Sequence, residues 1–215
     1  MSAIVTSKNI KRAIQALCGL ACVAFGVALS AKAGLGTTPI SSLPYTLSCI
    51  SPLSLGTYTF IANMAFLLLQ VIILKREYKV SQLIQIPAIF VFSVIIDLWM
   101  KLLGGIGSLN YGLLLGLCLS GCFFVAFGVY LQVKANAVML PGDGLAKVIA
   151  TKIKKEFGKI KIIFDSSLVG ISIIVSLIVK NKLLGVREGT ILAAFLVGSI
   201  IRFLTKRVHI FDIDI

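Results

Sequence analysis

Two short stretches hold most of the residues that could do chemistry. GLGTTPISS supplies Gly36, Thr37, Thr38, Pro39, Ser41 and Ser42; ANAVMLPGDG supplies Asn136, Pro141, Gly142, Asp143 and Gly144. Hydroxyls, a carboxylate and bare backbone beside a proline suit a small polar solute. Proline fits the first turn of a helix, where its missing N–H costs nothing. The remaining free N–H groups and the helix dipole favour an anion or a carboxylate. Gly34, Gly36, Gly142 and Gly144 let backbone approach closely. Thr38 and Asp143 are placed to satisfy early N–H groups of helices starting at Pro39 and Pro141.

A second set, Asn63, Asp97, Asp165 and Arg202, lies within apolar segments. Ionisable groups inside a membrane span are costly and mark function, so these four form a candidate coupling or gating set for a proton or cation. A plainer reading stands beside it. Asp97 lies near Lys101, Asp165 follows Lys161 by four residues, and Arg202 is close enough to a segment end to snorkel. Cys18/Cys22 and Cys118/Cys122 share helix faces, but cysteine is also a small buried hydrophobe. No metal site or cofactor is expected. His209 stands near the C-terminal end, and no nucleophile–base pair, phosphate loop or dinucleotide fingerprint is visible. No catalytic residue is expected, and the chain is not read as an enzyme.

The elements that must position these groups are membrane helices. Of 215 residues, 58% are hydrophobic and 13% charged, with mean hydropathy +1.04. A soluble domain is about a quarter charged. Apolar runs long enough to cross a bilayer occur at roughly 13–33, 56–74, 83–103, 111–135, 162–179 and 189–205. The expected fold is all-α, a single polytopic membrane domain of about six spans. The net charge of +13 does not imply nucleic acid, because the basic residues cluster at segment ends. One set of ends carries Lys8, Lys11, Arg12, Lys75, Arg76, Lys79, six lysines from Lys147 to Lys161, Lys206 and Arg207; the other carries Lys32, Lys101, Lys180, Lys182 and Arg187. The positive-inside rule then puts both termini in the cytoplasm of a cell whose plasma membrane the chain spans.

The chain repeats itself at an offset of 102 residues. VAFGV recurs at Val23–Val27 and Val125–Val129, and Gly19/Gly121, Lys32/Lys134, Pro39/Pro141, Leu43/Leu145 and Gly56/Gly158 keep register. Asn63 pairs with Asp165, and after a three-residue slip Asp97 pairs with Arg202. Each repeat, about 10–105 and 111–207, holds three spans. Three is odd, so the halves are expected to be inverted about an axis in the membrane plane, as in many transporters. After the first span of each half, 18 residues starting at Pro39 or Pro141 are too short and mixed to cross. They are read as short helices, either re-entrant with N-termini facing across the axis or lying at the interface. The lysines after Pro141 support the second reading, and both hold if only the proline end dips inward.

AKAGLGTTPISSLPYTLS, LIQIPAIFVFSVIIDLWMKL, LPGDGLAKVIA, FGKIKIIFDSSLVG and GVREGTILAAFLVGSIIRF together resemble the YczE/YyaS/YitT-type family of bacterial integral membrane proteins. The resemblance spans nearly the whole chain. It implies a small polytopic protein of a bacterial plasma membrane and carries over no activity.

The expected function is transport of a small anionic or zwitterionic metabolite, bound near the midplane between Pro39 and Pro141. A channel with paired half-helices and a non-transporting membrane subunit or assembly factor are the alternatives. The lipid bilayer and the solute are the expected partners, and self-association into a homo-oligomer stays open. A polar cavity joining Pro39 to Pro141 is the mark of transport; a closed apolar interior would sink it.

Overall fold

The computed structural model describes residues 2–78, 80–105, 109–135 and 140–208. Among them there is no strand. The helices are α1 (Ser2–Ala33), α2 (Pro39–Ile50), α3 (Leu55–Leu74), α4 (Gln85–Leu102), α5 (Tyr111–Lys134), α6 (Pro141–Lys152), α7 (Phe157–Lys180) and α8 (Glu188–Arg207). Short 3-10 turns cover Lys75–Glu77, Val80–Ile84 and Leu103–Gly105. Six stretches are long and apolar enough to cross a membrane, and they coincide with α1, α3, α4, α5, α7 and α8. Large apolar side chains such as Ile178 (76% exposed) and Phe195 (73%) face outward, as a hydrocarbon solvent requires. The chain is a multi-pass helical membrane protein.

The chain breaks before both short helices have a direct physical cause. The residue before a proline is pushed out of the helical region. Thr38 and Leu140 accordingly have ψ of 148° and 146°, so the chain breaks there and a new helix starts at each proline. Pro44 continues inside α2, on a helix whose core-facing side is otherwise hydroxyl-bearing.

α1 and α5 cross at the centre, antiparallel and very close. A Cβ added at Gly19 would stand 2.7 Å from the Gly128 carbonyl oxygen, and one at Gly26 would stand 2.6 Å from that of Gly121. Small residues are what let membrane helices approach to this distance. Adding 102 to Gly19 and Gly26 gives Gly121 and Gly128, so each of these two contacts maps onto the other. The same exchange relates most of the remaining packing. α4 lies on α1 and α8 on α5; α2 packs on α7 and α6 on α3; α2 touches α3 and α6 touches α7. Two pairs break the pattern: α3 packs along α4 and α2 touches α8, whereas α7–α8 and α6–α4 share no comparable interface. The central core is Leu20, Val23, Ala24 and Val27 of α1 with Phe92 and Ile96 of α4 and Val125 of α5.

The short helices are oblique. At the start of α6, Gln70 Nε2 donates to the Pro141 carbonyl at 2.9 Å; at its end, Lys152 pairs with Glu77 at 2.8 Å. Gln70 is 1% exposed within α3, whereas Glu77 lies in the exposed turn beyond its end. The proline end of α6 therefore dips into the bundle while its lysine end reaches the surface. α2 does the same toward the other end: Ser42 meets Ser172 at 3.1 Å, and Thr46 Oγ1 donates to the Leu184 carbonyl at 3.1 Å.

Candidate functional site: the paired helix starts

The first turns of α2 and α6 abut. A Cβ at Gly142 would collide with Ile40 Cδ1 and would lie 3.5 Å from the Phe66 ring. Ile40 and Gly142 are corresponding residues of the repeat. Around them pack Phe66, Leu145 and Leu168, with Leu43, Ala62 and Phe164 against these. The Phe66 and Phe164 rings are 5.5 Å apart, edge to face. The space between Pro39 and Pro141 is thus filled by apolar side chains. Polar groups lie to either side of this plug rather than in it.

On the α2 side they are hydroxyls. Thr38 occupies the cap position, but its Oγ1 donates to Ser41 Oγ at 3.2 Å and caps no N–H. Ser42 Oγ donates to the Pro39 carbonyl at 2.6 Å, which leaves Ser172 to donate across the 3.1 Å contact, with the Leu168 carbonyl at 2.7 Å as its alternative acceptor. Tyr45 OH donates to the Ala31 carbonyl at 2.7 Å, and burial holds that phenol above its ordinary range. Gly36, at φ +104°, lets the loop pass against Thr190, where a Cβ would collide. Thr37 and Thr190 are 0% and 2% exposed, and their hydroxyls have no protein partner. A buried unsatisfied hydroxyl costs about 1–3 kcal/mol, so two beside one helix start are a candidate place for a polar guest. Arg187 closes the outside. It pairs with Glu188 at 3.0 Å and donates to the Gly34 carbonyl at 3.2 Å.

On the α6 side they are charges. Lys161 Nζ lies 2.8 Å from Asp143 and 2.6 Å from Asp165. Asp143 is in the first turn of α6 but caps no N–H; its carboxylate is spent on Lys161 instead. The three side chains are 22–29% exposed, so water still reaches this lock. Gly144 sits beneath Gln70, where a Cβ would be 3.0 Å from Nε2.

The candidate coupling residues are scattered. Asp97 takes the Gly56 N–H at 2.7 Å and the Ser54 hydroxyl at 2.5 Å, which secures the start of α3. Asn63 donates to the Thr59 carbonyl of its own helix at 2.8 Å. Arg202 is exposed on the outer face of α8. Of the four, Asp165 alone is linked to a residue of the solute-binding set, and only through Lys161, which bridges it to Asp143. Asn136 and His209 lie outside the described residues.

Residues 10–206 match the family described as a family of unknown function, DUF6198. The chain belongs to that family. It is also 24% identical over 184 residues to the uncharacterized protein YyaS of Bacillus subtilis (strain 168), covering 85% of this chain and 87% of YyaS. No solved structure matches significantly. The DUF6198 match runs through both halves, so both helix starts and both polar clusters fall inside it.

Four members of the site in this DUF6198 chain escaped the sequence reading: Lys161, Gln70, Ser172 and Thr190. Lys161 was visible only as a neighbour of Asp165 at i,i+4, a spacing that does bring side chains together on a helix. Gln70 and Ser172 stand at corresponding positions of the repeat and hold the opposite half-helices, and that correspondence is the signal that could have found them. The glycine pairs at 19/26 and 121/128 were read as a repeat rather than as the crossing they form.

Proposed function

We propose that this protein is an alternating-access transporter of a small anionic or zwitterionic solute, built from two inverted halves in a bacterial plasma membrane with both termini cytoplasmic. The observation that carries the reading is the meeting of corresponding residues, Ile40 and Gly142, at the starts of two half-helices. Binding at such helix starts is the common device of inverted-repeat transporters. The plug between them counts against an open channel. It counts against transport too; the transport reading requires a second conformation that parts the plug while another barrier closes. The solute would bind on the α2 side, where Thr37, Thr38, Ser41 and Thr190 surround the helix start, and the Asp143–Lys161–Asp165 lock would open and close the α6 side.

The test is a thermal-shift screen of carboxylates and zwitterions on the purified protein, followed by counterflow in liposomes. A transported ligand should stabilise the wild type, lose its effect in Thr38→Ala or Asp143→Ala, and show saturable counterflow. A ligand response that survives both substitutions puts the site elsewhere; flux without saturation makes the protein a channel. The closed apolar centre favours one second reading, a non-transporting membrane subunit. A partner that co-purifies in fixed stoichiometry, with no solute response, would replace transport by that role.

A further inference from the structure

The end of α6 and the start of α7 enclose an open cavity of about 400 Å³, lined by Lys147, Ala150, Thr151, Lys154, Lys155 and Phe157. Its three lysines are distinct from their neighbours. Lys152 is neutralised by Glu77 at 2.8 Å and Lys159 faces Glu156 at 3.6 Å. Lys147, Lys154 and Lys155 have no acidic partner among the described residues. Three unpaired cations around one cavity create a local field that only an anion relieves.

Two further features say what kind of anion. Ile153 and Phe157 are exposed by 50% and 41% beside these lysines, so the cavity has a charged wall and an apolar lip. It also lies at the helix end where apolar α7 emerges from its span, the level of the headgroups. Lys154 sits at φ +51°, a left-handed position that glycine fills more cheaply. There it closes α6, with the Lys155 N–H bonded to the Ala150 carbonyl at 3.0 Å.

We infer that this cavity is a binding site for the phosphate of an anionic phospholipid, held by Lys147, Lys154 and Lys155, with an acyl chain running down Phe157. Basic pockets between helices at the inner surface are known to take such headgroups. The site is independent of the transport reading, because none of its residues belongs to the solute set.

The experiment titrates the purified, detergent-solubilised protein with phosphatidylglycerol, with phosphatidylcholine, and with inorganic phosphate, reading thermal unfolding. Phosphatidylglycerol should stabilise it, and the other two should not at the same concentrations. Lys147→Ala/Lys154→Gly/Lys155→Ala should need about 100-fold more phosphatidylglycerol, about fivefold per lysine. Lys152→Ala, which removes an equal charge next door, should titrate like the wild type. Lys154→Gly alone suits the backbone there, so a fivefold loss in that variant is readable even if the triple variant folds poorly. A triple variant or Lys154→Gly that titrates like the wild type overturns the site. Equal stabilisation by inorganic phosphate overturns the lipid assignment.

Discussion

Asp143, Lys161 and Asp165 tie the start of α6 to α7 by charge. At the corresponding positions of the first half stand Ser41, Thr59 and Asn63. They are 7%, 3% and 8% exposed, where the charged three are 22–29% exposed. The difference shows how burial selects chemistry. An ionised group that is fully buried costs several kcal/mol unless perfectly paired, so the deeper copy is neutral. Its groups are satisfied locally: Thr59 Oγ1 by the Leu55 carbonyl at 2.8 Å, and Asn63 Nδ2 by that of Thr59. The shallower copy can keep its charges because water still reaches them. One half-helix is therefore held by an ion lock and the other by hydroxyls, and only the first should respond to salt.

The largest effect breaks what the two regions share. Gly26→Leu would place a Cβ 2.6 Å from the Gly121 carbonyl oxygen and 2.7 Å from the Val125 nitrogen. It should cost about 3 kcal/mol or more and abolish a monodisperse peak on size-exclusion chromatography. Next, Lys161→Met leaves two carboxylates facing each other. Discounted for partial exposure, the loss should be about 2 kcal/mol in thermal or denaturant unfolding, and adding Asp143→Asn and Asp165→Asn should recover most of it. High salt should weaken the wild type but not that triple variant. If salt acts on both alike, the ion lock contributes nothing. Then the two side-chain bolts can be compared: Gln70→Ala should cost about 2 kcal/mol, through a cavity and a lost bond to Pro141, and Ser172→Ala about 1 kcal/mol. The smallest effect is Thr59→Val. That shape-preserving change removes a hydroxyl bonded only to its own helix and should cost under about 1 kcal/mol.

Much of this arrangement was legible in local sequence. Pro39 and Pro141 marked the helix starts because proline acts on its own neighbours, whatever the fold. The spans followed from apolar length, although α7 begins at Phe157, five residues before the expected 162, because Lys159 and Lys161 have water or carboxylates to face. Between dipping and flat half-helices the local sequence left open a compromise in which only the proline end dips, and α6 takes it. The lysines of α6 pointed to the surface, and the bond that pulls its other end inward comes from Gln70, 71 positions earlier. Asp97 was read as a coupling candidate from its depth in an apolar run. Its bonds to Ser54 and Gly56 depend on how α4 lies along α3, which no local pattern encodes. The plug was hidden for the same reason: Ile40, Phe66 and Phe164 are ordinary apolar residues until the two halves meet.

Labelling of corresponding positions tests most directly whether the two halves are inverted copies. In a background with the five native cysteines replaced, Leu53→Cys and Lys155→Cys stand at the 102-residue offset in exposed turns after α2 and α6. A membrane-impermeant maleimide should label Leu53→Cys in intact cells and Lys155→Cys only after permeabilisation. Labelling of both from the same side would contradict the inverted arrangement and the transport reading built on it.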